Sequence, residues 1–280
     1  MATIIGGLTS SHIPAIGNAI ANELYEEPYW ETFFNGYPPV HNWLAENKPD
    51  VAIMIYNDHG LNFFLDKMPT FAIGAAAQYH NADEGWGIPT IPPFEGDPVL
   101  SWHVIEHMVG NEFDITSCQE MKVDHGFTVP MQLFWPDRGD DIPTVIPVTA
   151  NTVQHPIPTM KRCYDFGREL GRAIRSYPED KKVVVIGTGG LSHQLDGERA
   201  GFINKPFDQM CMEKIVSDPE ALTSISRHEL IRQAGSQGSE FIMWMMMRGA
   251  LSDNVELKHQ AYHIPISNTA AGTMVLECKN

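Results

Sequence analysis

The sequence predicts an α/β fold, in which a central mixed or largely parallel sheet is flanked by helices and the active site lies at the strand ends. Two observations carry this prediction. Apolar, β-branched runs recur along the chain, and segments with the apolar spacing of helices lie between several of them. In addition, no internal repeat, low-complexity tract or linker interrupts the 280 residues. We therefore expect a single domain over residues 1–280.

The predicted elements follow from local patterns. The strands are the runs ATIIGGL (2–8), DVAIMIYN (50–57), TFAIGAA (70–76), DITSC (114–118), TVIPVTA (144–150), KVVVIG (182–187) and GTMVLEC (272–278). Three helices are PVLSWHVIEHMVGNE (98–112), PTMKRCYDFGRELGRAIRSYPED (158–180) and SEFIMWMMMRGAL (239–251). The Gly- and Pro-rich segment 77–97 is predicted to be a long loop, and loops of that length are usually functional or disordered.

Charge and composition narrow the class of protein. With a formal net charge of −16, the chain lacks the basic surface that nucleic acid or an anionic membrane requires. No run approaches the roughly 18 apolar residues of a membrane span, and the N-terminus does not resemble a signal peptide, so we expect a cytoplasmic protein. The four cysteines form no C-x-x-C pair and indicate neither a zinc ribbon nor a disulfide framework. An anionic small substrate would need a locally positive site, such as a metal cation.

The stretch VVVIGTGGLSHQL (183–195) resembles a nucleotide-binding loop at first sight. The dinucleotide pattern G-x-G-x-x-G fails because Ser192 occupies the third glycine position. The P-loop pattern fails because Leu191 and Ser192 follow Gly190, where Lys and Ser or Thr are needed. No helical period follows the glycines. We interpret the stretch as a buried strand whose tight turn presents Ser192 and His193 at the edge of the sheet.

Four of the twelve histidines occupy positions that favour a shared site. His12 and His59 follow the first and second predicted strands, and His193 follows the strand at 182–187. His125 lies in a predicted loop, between an acid and a glycine. Open α/β sheets place their ligand sites at strand ends. The alternative is that each histidine is a separate structural residue, and the positions alone leave both interpretations open.

Glu240 is the candidate for a further metal ligand. It lies near the start of the predicted helix 239–251 and shares a face with Met243, Trp244 and Met247, where a charge is unfavourable unless it is paired. A metal is one such partner, and the helix N-terminal dipole at the solvent boundary is the alternative. Two histidines and one carboxylate would form the facial triad of non-haem Fe(II) enzymes, and His193 could then serve as acid or base.

Further motifs give weaker signals. The pairs His103/His107 and His259/His263 have the i, i+4 spacing of zinc ligands, but neither contains the glutamate of H-E-x-x-H, and HELIR (228–232) lacks the second histidine. We interpret all three as surface or packing features. No G-x-S-x-G elbow is present, and no cysteine lies near a histidine motif for nucleophilic catalysis.

Nine ordered blocks, spread over nearly the whole chain, resemble the class III (type II) extradiol dioxygenases. The blocks are SSHIPAIG, YNDHG, PTFAIG, ADEGWG, VDHGFTVP, GTGGLSHQL, ERAGFINK, MWMMMRGAL and YHIPISNTAAG. They are most similar to the catalytic β subunits of protocatechuate 4,5-dioxygenases, and gallate dioxygenases share several of them. The resemblance implies Fe(II) bound by His12, His59 and Glu240. It also implies that His193 is the catalytic acid/base and that His125 acts close to the substrate.

The resemblance further implies a substrate and a partner. Ser267 and Asn268 would bind the ring carboxylate of a carboxylated catechol, which O₂ would cleave beside the diol. Protocatechuate, opened to 4-carboxy-2-hydroxymuconate semialdehyde, is the expected substrate, and gallate or another substituted catechol is the alternative. A small α subunit in an α₂β₂ assembly is the expected partner. The same residues are also compatible with a non-catalytic binding protein of this fold or with a zinc-dependent hydrolase.

Overall fold

An eight-stranded mixed sheet lies at the centre of the computed structural model, which describes residues 1–139, 142–264 and 268–279. In chain order the strands are β1 (Thr3–Ser10), β2 (Val51–Tyr56), β3 (Phe71–Gly74), β4 (Gln78–Asn81), β5 (Phe94–Glu95), β6 (Thr116–Cys118), β7 (Lys122–Val123), β8 (Thr144–Ala150), β9 (Lys182–Thr188), β10 (Val255–His263) and β11 (Ala271–Cys278). The helices are α1 (Pro14–Ala21), α2 (Glu31–Phe34), α3 (Pro38–Asn47), α4 (Pro98–Gly110), α5 (His125–Phe134), α6 (Met160–Ser176), α7 (Lys205–Ser217), α8 (Pro219–Leu222), α9 (Arg227–Ala234) and α10 (Phe241–Ala250). Two short 3-10 turns, Leu24–Glu26 and Gln237–Glu240, complete the described elements.

The sheet is parallel at its centre and mixed outside it, because β10–β11, β11–β1 and β8–β3 pair antiparallel whereas the edge pair β3–β6 is parallel. Its strand order is β10-β11-β1-β9-β2-β8-β3-β6, and β1, β9, β2 and β8 are mutually parallel neighbours. Apolar side chains of α4, α6 and α10 cover one face, and those of α1, α3 and α5 cover the other. Strand β2 is buried at every residue, as expected for a parallel strand covered on both faces. The predicted single α/β domain with a mixed, largely parallel sheet is confirmed.

Helix α10 is apolar because it is enclosed between the sheet and α6, and all ten of its residues are buried. Gly167 permits the close contact with α6, since a Cβ at this position would collide with the backbone carbonyl of Met246. None of the helices in the described residues combines the length and apolar character needed to cross a membrane.

All seven predicted strands and all three predicted helices are present, but one predicted loop contains strands and one strand lies where none was predicted. Segment 77–97 is not a continuous loop, because β4 and β5 lie within it and form a small sheet with β7. Strand β10 was not predicted, because many of its residues are charged or histidine and it shows little apolar alternation. His259 and His263 lie on this strand, so their spacing is not that of neighbours on a helix, and His259 Nε2 bonds to the Gly36 carbonyl (2.7 Å).

Candidate metal centre

Three neighbouring parallel strands bring three histidines to one edge of the sheet. Strands β1, β9 and β2 are adjacent and parallel, so their carboxyl ends meet. His12 follows the end of β1, His59 follows β2 and His193 follows β9. The rings of His12 and His59 lie edge to face, with their centroids 5.1 Å apart. The site therefore arises from strand order, which sequence separation does not reveal.

Glu240 completes a set of three metal-ligating side chains. It is the last residue of the 3-10 turn before α10 and is only 6% exposed, with its Oε2 atom 3.5 Å from His12 Nε2. One ligand atom from each of His12, His59 and Glu240 lies within 4.8 Å of the others. The alternative of a carboxylate at the solvent boundary is excluded by this burial. Two imidazoles and one carboxylate suit a divalent first-row metal, and these three residues could hold one.

Hydrogen bonds orient both histidines for this task. His12 Nδ1 lies 3.0 Å from the Thr188 hydroxyl, and His59 Nδ1 lies 3.1 Å from Asp124 Oδ2. Each ring is thereby held through Nδ1, and a metal would bind at Nε2, which for His59 requires the Asn57 amide to move away. A carboxylate on the far nitrogen is the usual way in which proteins fix the tautomer of a metal-binding histidine. Asn57 Nδ2 lies 3.0 Å from His59 Nε2.

A second group of possible ligands, His59, Asp124 and His125, overlaps the first. Asp124 Oδ2 is already engaged by the backbone N–H of His59 (2.7 Å) and by its Nδ1 atom, and Asp124 Oδ1 accepts from the Gly126 N–H (2.9 Å). The carboxylate therefore orients His59 and caps α5. The group that contains Glu240 is therefore the better candidate to hold a metal.

The electrostatics of the site depend on its burial and on the carboxylates. Burial lowers the pKa of His12. Burial also opposes the ionisation of Glu240, yet the nearby histidines, His12 foremost, hold its pKa at about 2. Burial opposes protonation of His59 as well, but the Asp124 carboxylate raises the pKa of this histidine to about 9. The metal-free site thus holds an ionised carboxylate together with a neutral His12 and a protonated His59 at neutral pH.

This charge state predicts that metal binding releases a proton. A metal at His59 Nε2 must displace a proton from a group whose pKa is about 9. Below that pH the dissociation constant for Fe(II) should rise about tenfold for each unit of decrease in pH, one proton being exchanged. Anaerobic calorimetry in two buffers of different ionisation enthalpy, between pH 6.5 and 8, measures the released proton. The variant Asp124→Asn should flatten the pH dependence, and binding without proton release would contradict the assignment.

Gly189 permits the close contact between the β9 turn and Glu240. Its φ angle is +78°, and a Cβ on this residue would lie 2.6 Å from Glu240 Oε2 and 2.7 Å from Glu240 Cβ. Gly190 has a φ angle of +109° and lies against the Trp244 ring. The glycines therefore serve a sharp turn and close packing. No helix follows before α7 begins at Lys205, in agreement with the interpretation of this stretch.

The variant Gly189→Ala should destabilise the protein by about 2 to 5 kcal/mol, because left-handed backbone costs an L-residue about 1–2 kcal/mol and overpacking about 1–3 kcal/mol. Metal affinity should also fall, since Glu240 must move. Urea unfolding and metal titration measure both effects. Gly197→Ala is the matched control, because Gly197 has a φ angle of +73° with no atom near its missing Cβ. Equal losses in the two variants would contradict the close-packing argument.

His193 lies on the segment that follows this turn and is held by its backbone. Its N–H donates to the Ala234 carbonyl (2.6 Å), and its carbonyl accepts from the N–H groups of Gln237 and Gly238. The side chain is 8% exposed, and its Nε2 atom is buried without a hydrogen-bond partner in the part of the chain that the structure describes. Burial lowers the pKa of His193, so the ring is neutral at pH 7. A neutral imidazole with an unpartnered nitrogen is suited to accept a proton.

His125 is not in a loop, as the sequence predicted, but is the first residue of α5. The ring is buried and lies beside His59, with centroids 4.0 Å apart. Its backbone N–H donates to Glu84 Oε2 (2.7 Å), and its Nδ1 lies 2.8 Å from Glu84 Oε1. The rings of His12, His59 and His125 thus lie around one centre.

A cavity of about 510 Å³ opens above these residues. His12, His59, His125, His193 and Glu240 line its polar side, and the other lining residues are Ile13, Pro14, Ala15, Asn18, Trp86, Leu195 and Gln237. The apolar and aromatic side chains in this lining would suit a planar apolar ring. A pocket of this size accommodates a small aromatic compound.

Of the two residues expected to bind a carboxylate, Ser267 and Asn268, the structure describes only the second. Ser267 lies outside the described residues. Asn268 has a φ angle of +57°, its carbonyl accepts from the Gln194 N–H (3.4 Å), and it lies beside the His193 segment, although it does not line the described cavity. The roles of both residues in substrate binding remain predictions.

The structure also reveals residues that the sequence analysis missed. Asp58 fixes the turn that carries His59, because its carboxylate accepts from four successive backbone N–H groups, those of residues 60–63. Asp124, Glu84 and Thr188 orient the histidines of the site. The signal for the aspartates was their place directly before a histidine in YNDHG and VDHG. No sequence signal linked Glu84 to His125, because the pairing spans 41 positions.

The weaker histidine candidates are separate from the site. On α4, His103 bonds to the Ala173 carbonyl (3.1 Å), and His107 pairs with Glu169 (2.7 Å). His228 lies on α9, away from the three strand ends. The structure thus places these residues in packing or surface contacts, in line with the sequence interpretation.

Fold and site together define an α/β protein with a candidate mononuclear metal centre of two histidines and one carboxylate at the ends of parallel strands. The chain belongs to the family described as "Catalytic LigB subunit of aromatic ring-opening dioxygenase", whose model matches residues 6–274. This confirms the ring-cleaving dioxygenase family that the sequence motifs indicate. The more specific assignment to protocatechuate enzymes remains a prediction.

Individual relatives carry related names. The chain is 42% identical over 196 residues to gallate dioxygenase of Pseudomonas putida, covering 70% of this chain but only 57% of that protein. It is 29% identical to a 2,3-dihydroxyphenylpropionate/2,3-dihydroxicinnamic acid 1,2-dioxygenase of Photorhabdus laumondii, over 97% of this chain and 96% of that one. A crystal structure of an uncharacterized protein from Escherichia coli K12 shares the fold, with a TM-score of 0.55 and 10% identity over 97% of this chain and 99% of that one.

Proposed function

We propose that the chain catalyses Fe(II)-dependent extradiol cleavage of a carboxylated catechol. The observation that carries this proposal is the meeting of His12, His59 and Glu240 beneath a cavity into which His193 also projects. Gallate is the first substrate to test, because the relative with 42% identity is named gallate dioxygenase. Protocatechuate, which the sequence motifs favour, is the second. Both compounds combine adjacent hydroxyls with a ring carboxylate.

The donor set fits a ferrous ion. The Nε2 atoms of His12 and His59 and the carboxylate of Glu240 would hold it, as in the facial triad that leaves coordination positions open for other ligands. Bound there, Fe(II) would supply a Lewis acid that lowers the pKa of a catechol hydroxyl and a redox centre that activates O₂.

The chain's own residues supply proton transfer and positioning. His193, neutral at pH 7 and with Nε2 unpartnered among the described residues, would accept the proton of a substrate hydroxyl and later return it to oxygen as the ring opens. His125 would contact the substrate from the opposite side, beside His59. Ile13, Trp86 and Leu195 would pack against the ring and exclude water.

A small α subunit in an α₂β₂ assembly is proposed as the partner, and the cytoplasm as the compartment. Trp86 and Leu195 at the cavity are 55% and 51% exposed, and large exposed apolar side chains at a site mouth are typical of surfaces that a partner covers. The relative named gallate dioxygenase is longer than the region matched, since the chain spans 57% of its length. Reconstitution of the chain with a separate small subunit tests whether a second chain covers the cavity.

The test is O₂ uptake by the anaerobically Fe(II)-loaded protein on addition of gallate, protocatechuate or 2,3-dihydroxyphenylpropionate, with formation of a coloured ring-fission product followed by absorbance. Stoichiometric uptake with one of these substrates supports the proposal, and the ratios of kcat/KM identify the ring. If the protein still converted one of these compounds at the same rate after iron was exchanged for zinc, the result would favour a zinc-dependent hydrolase. Binding of a catechol without uptake of O₂, with partner subunit present, would favour a non-catalytic binding protein.

A further inference from the structure

Glu84 contacts His125 through both of its carboxylate oxygens. Oε2 accepts the backbone N–H of His125 (2.7 Å), and Oε1 lies 2.8 Å from its Nδ1 atom. The Glu84 side chain is 16% exposed and the His125 side chain 4% exposed, so water competes little for either contact. Because His125 is the first residue of α5, the carboxylate also meets the positive end of the helix dipole.

This geometry determines which nitrogen of His125 carries the proton. An ionised carboxylate only accepts hydrogen bonds, so Nδ1 must be the donor. The neutral ring is then the Nδ1–H tautomer, with the lone pair on Nε2. Within the described residues Nε2 makes no hydrogen bond, and His125 lines the cavity. The ring therefore offers a hydrogen-bond acceptor to a bound substrate.

The segment that carries Glu84 is itself attached to the site. Its two ends are joined by the Asn81 side chain, which bonds to both the N–H and the carbonyl of Ile91 (3.0 and 2.7 Å). The Trp86 carbonyl accepts from Asn18 Nδ2 (2.9 Å), and both of these residues line the cavity. Glu84 is thus held at a fixed distance from His125, although it lies in a connection between two short strands.

We propose that Glu84 is a positioning residue that fixes His125 as the Nδ1–H tautomer and so presents its Nε2 lone pair to the substrate. The consequence for the reaction rests on the function proposed above. In that reaction the lone pair accepts a hydrogen bond from a substrate hydroxyl. The tautomer itself does not depend on that function and can be measured without turnover.

The variant Glu84→Gln tests the proposal, because glutamine offers one acceptor and one donor in the same shape. The backbone N–H of His125 requires the glutamine oxygen, which leaves the NH₂ group facing Nδ1. The ring should then change to the Nε2–H tautomer. Long-range ¹H–¹⁵N correlation spectra of the full-length metal-free chain, labelled with ¹⁵N-histidine and recorded at pH 8.5, distinguish the two forms, and His125→Asn assigns the signal.

Wild type should show the Nδ1–H form, Glu84→Gln the Nε2–H form and Glu84→Asp the wild-type form. In turnover Glu84→Gln should lower kcat by about 10- to 100-fold, the range for residues that orient a reactive group, with a smaller change in KM. Asp83→Asn is the matched control, since Asp83 lies in the same segment and accepts from the Gly85 N–H rather than from His125. A wild-type tautomer in Glu84→Gln would overturn the proposal. Absence of activity in wild type, with the partner subunit present, would instead reject the proposed function and leave the tautomer result to decide this inference.

Discussion

Replacing Glu240 with Gln is expected to weaken Fe(II) binding by well over about 100-fold, which is the upper end of the loss seen when residues that only orient a ligand are removed. Glu240 is the only carboxylate in the ligand set, and its negative charge attracts a cation that the two imidazoles would bind only through neutral nitrogen lone pairs. An amide oxygen is neutral and a weaker ligand. Ring cleavage should be lost in parallel, and excess Fe(II) should restore only part of it.

Anaerobic metal titration and O₂ uptake measure the two effects, and circular dichroism with urea unfolding checks the fold. Glu198→Gln is the matched control, because Glu198 is exposed and distant in sequence from the ligand set. We expect the metal-free Glu240→Gln variant to fold with reduced stability, since glutamine has the same shape but loses the attraction to the histidines that holds the pKa of Glu240 at about 2. Wild-type affinity for Fe(II) in this variant would contradict the assignment of Glu240 as a ligand.

Strand ends indicated where a shared histidine site could form, and the motif resemblance implied which residues would bind a metal there. Each of the runs before His12, His59 and His193 is apolar on both faces, which predicts a buried strand, and open sheets gather ligands where such strands end. The sequence could not show that β1, β9 and β2 are neighbours, because strand order depends on packing between distant segments. It is this order that converts three separate histidines into one site.

The features that the sequence could not predict depend on contacts between residues that are far apart in the chain. His125 was expected in a loop, because the helical spacing of α5 contains Pro130 and is apolar around its whole circumference. Glu84 lies in a Gly- and Pro-rich segment that has no helical or strand period, so nothing local indicates its partner. Strand β10 lies at the edge of the sheet, where one side needs no apolar cover, and its polar sequence reflects that position.

The charge of the whole chain and the charge of the site place different demands on the substrate. The chain carries a formal charge of −16, and the described residues that line the cavity include neither lysine nor arginine. A carboxylated catechol is an anion and would meet an unfavourable field. Before a metal binds, protonated His59 is a positive group close to the cavity. After loading, a divalent cation takes its place. Metal loading should therefore increase the affinity for the carboxylated substrate even before any reaction.

Replacing His193 with Ala is expected to lower kcat by about 10²- to 10⁴-fold, the usual contribution of a positioned acid/base, while Fe(II) affinity stays within a few-fold of wild type. The backbone of His193 is held by hydrogen bonds of its own N–H and carbonyl groups, so removal of the side chain should leave the segment in place. Its Nε2 atom has no partner among the described residues, so no bond to that atom is broken. A loss of turnover would then report proton transfer and not structure.

The pH profile separates this role from a structural one. Burial lowers the pKa of His193, so the wild-type kcat/KM should fall on the acidic side only when the pH drops below the usual range of histidine, as the ring becomes protonated and cannot accept a proton. This acidic limb should disappear in His193→Ala. His80→Ala is the control, because His80 is exposed on β4 and lies outside the cavity. If His193→Ala retained the acidic limb or lost Fe(II) binding along with turnover, His193 would have to be assigned a structural or metal-binding role, and the proton acceptor would have to be sought in His125.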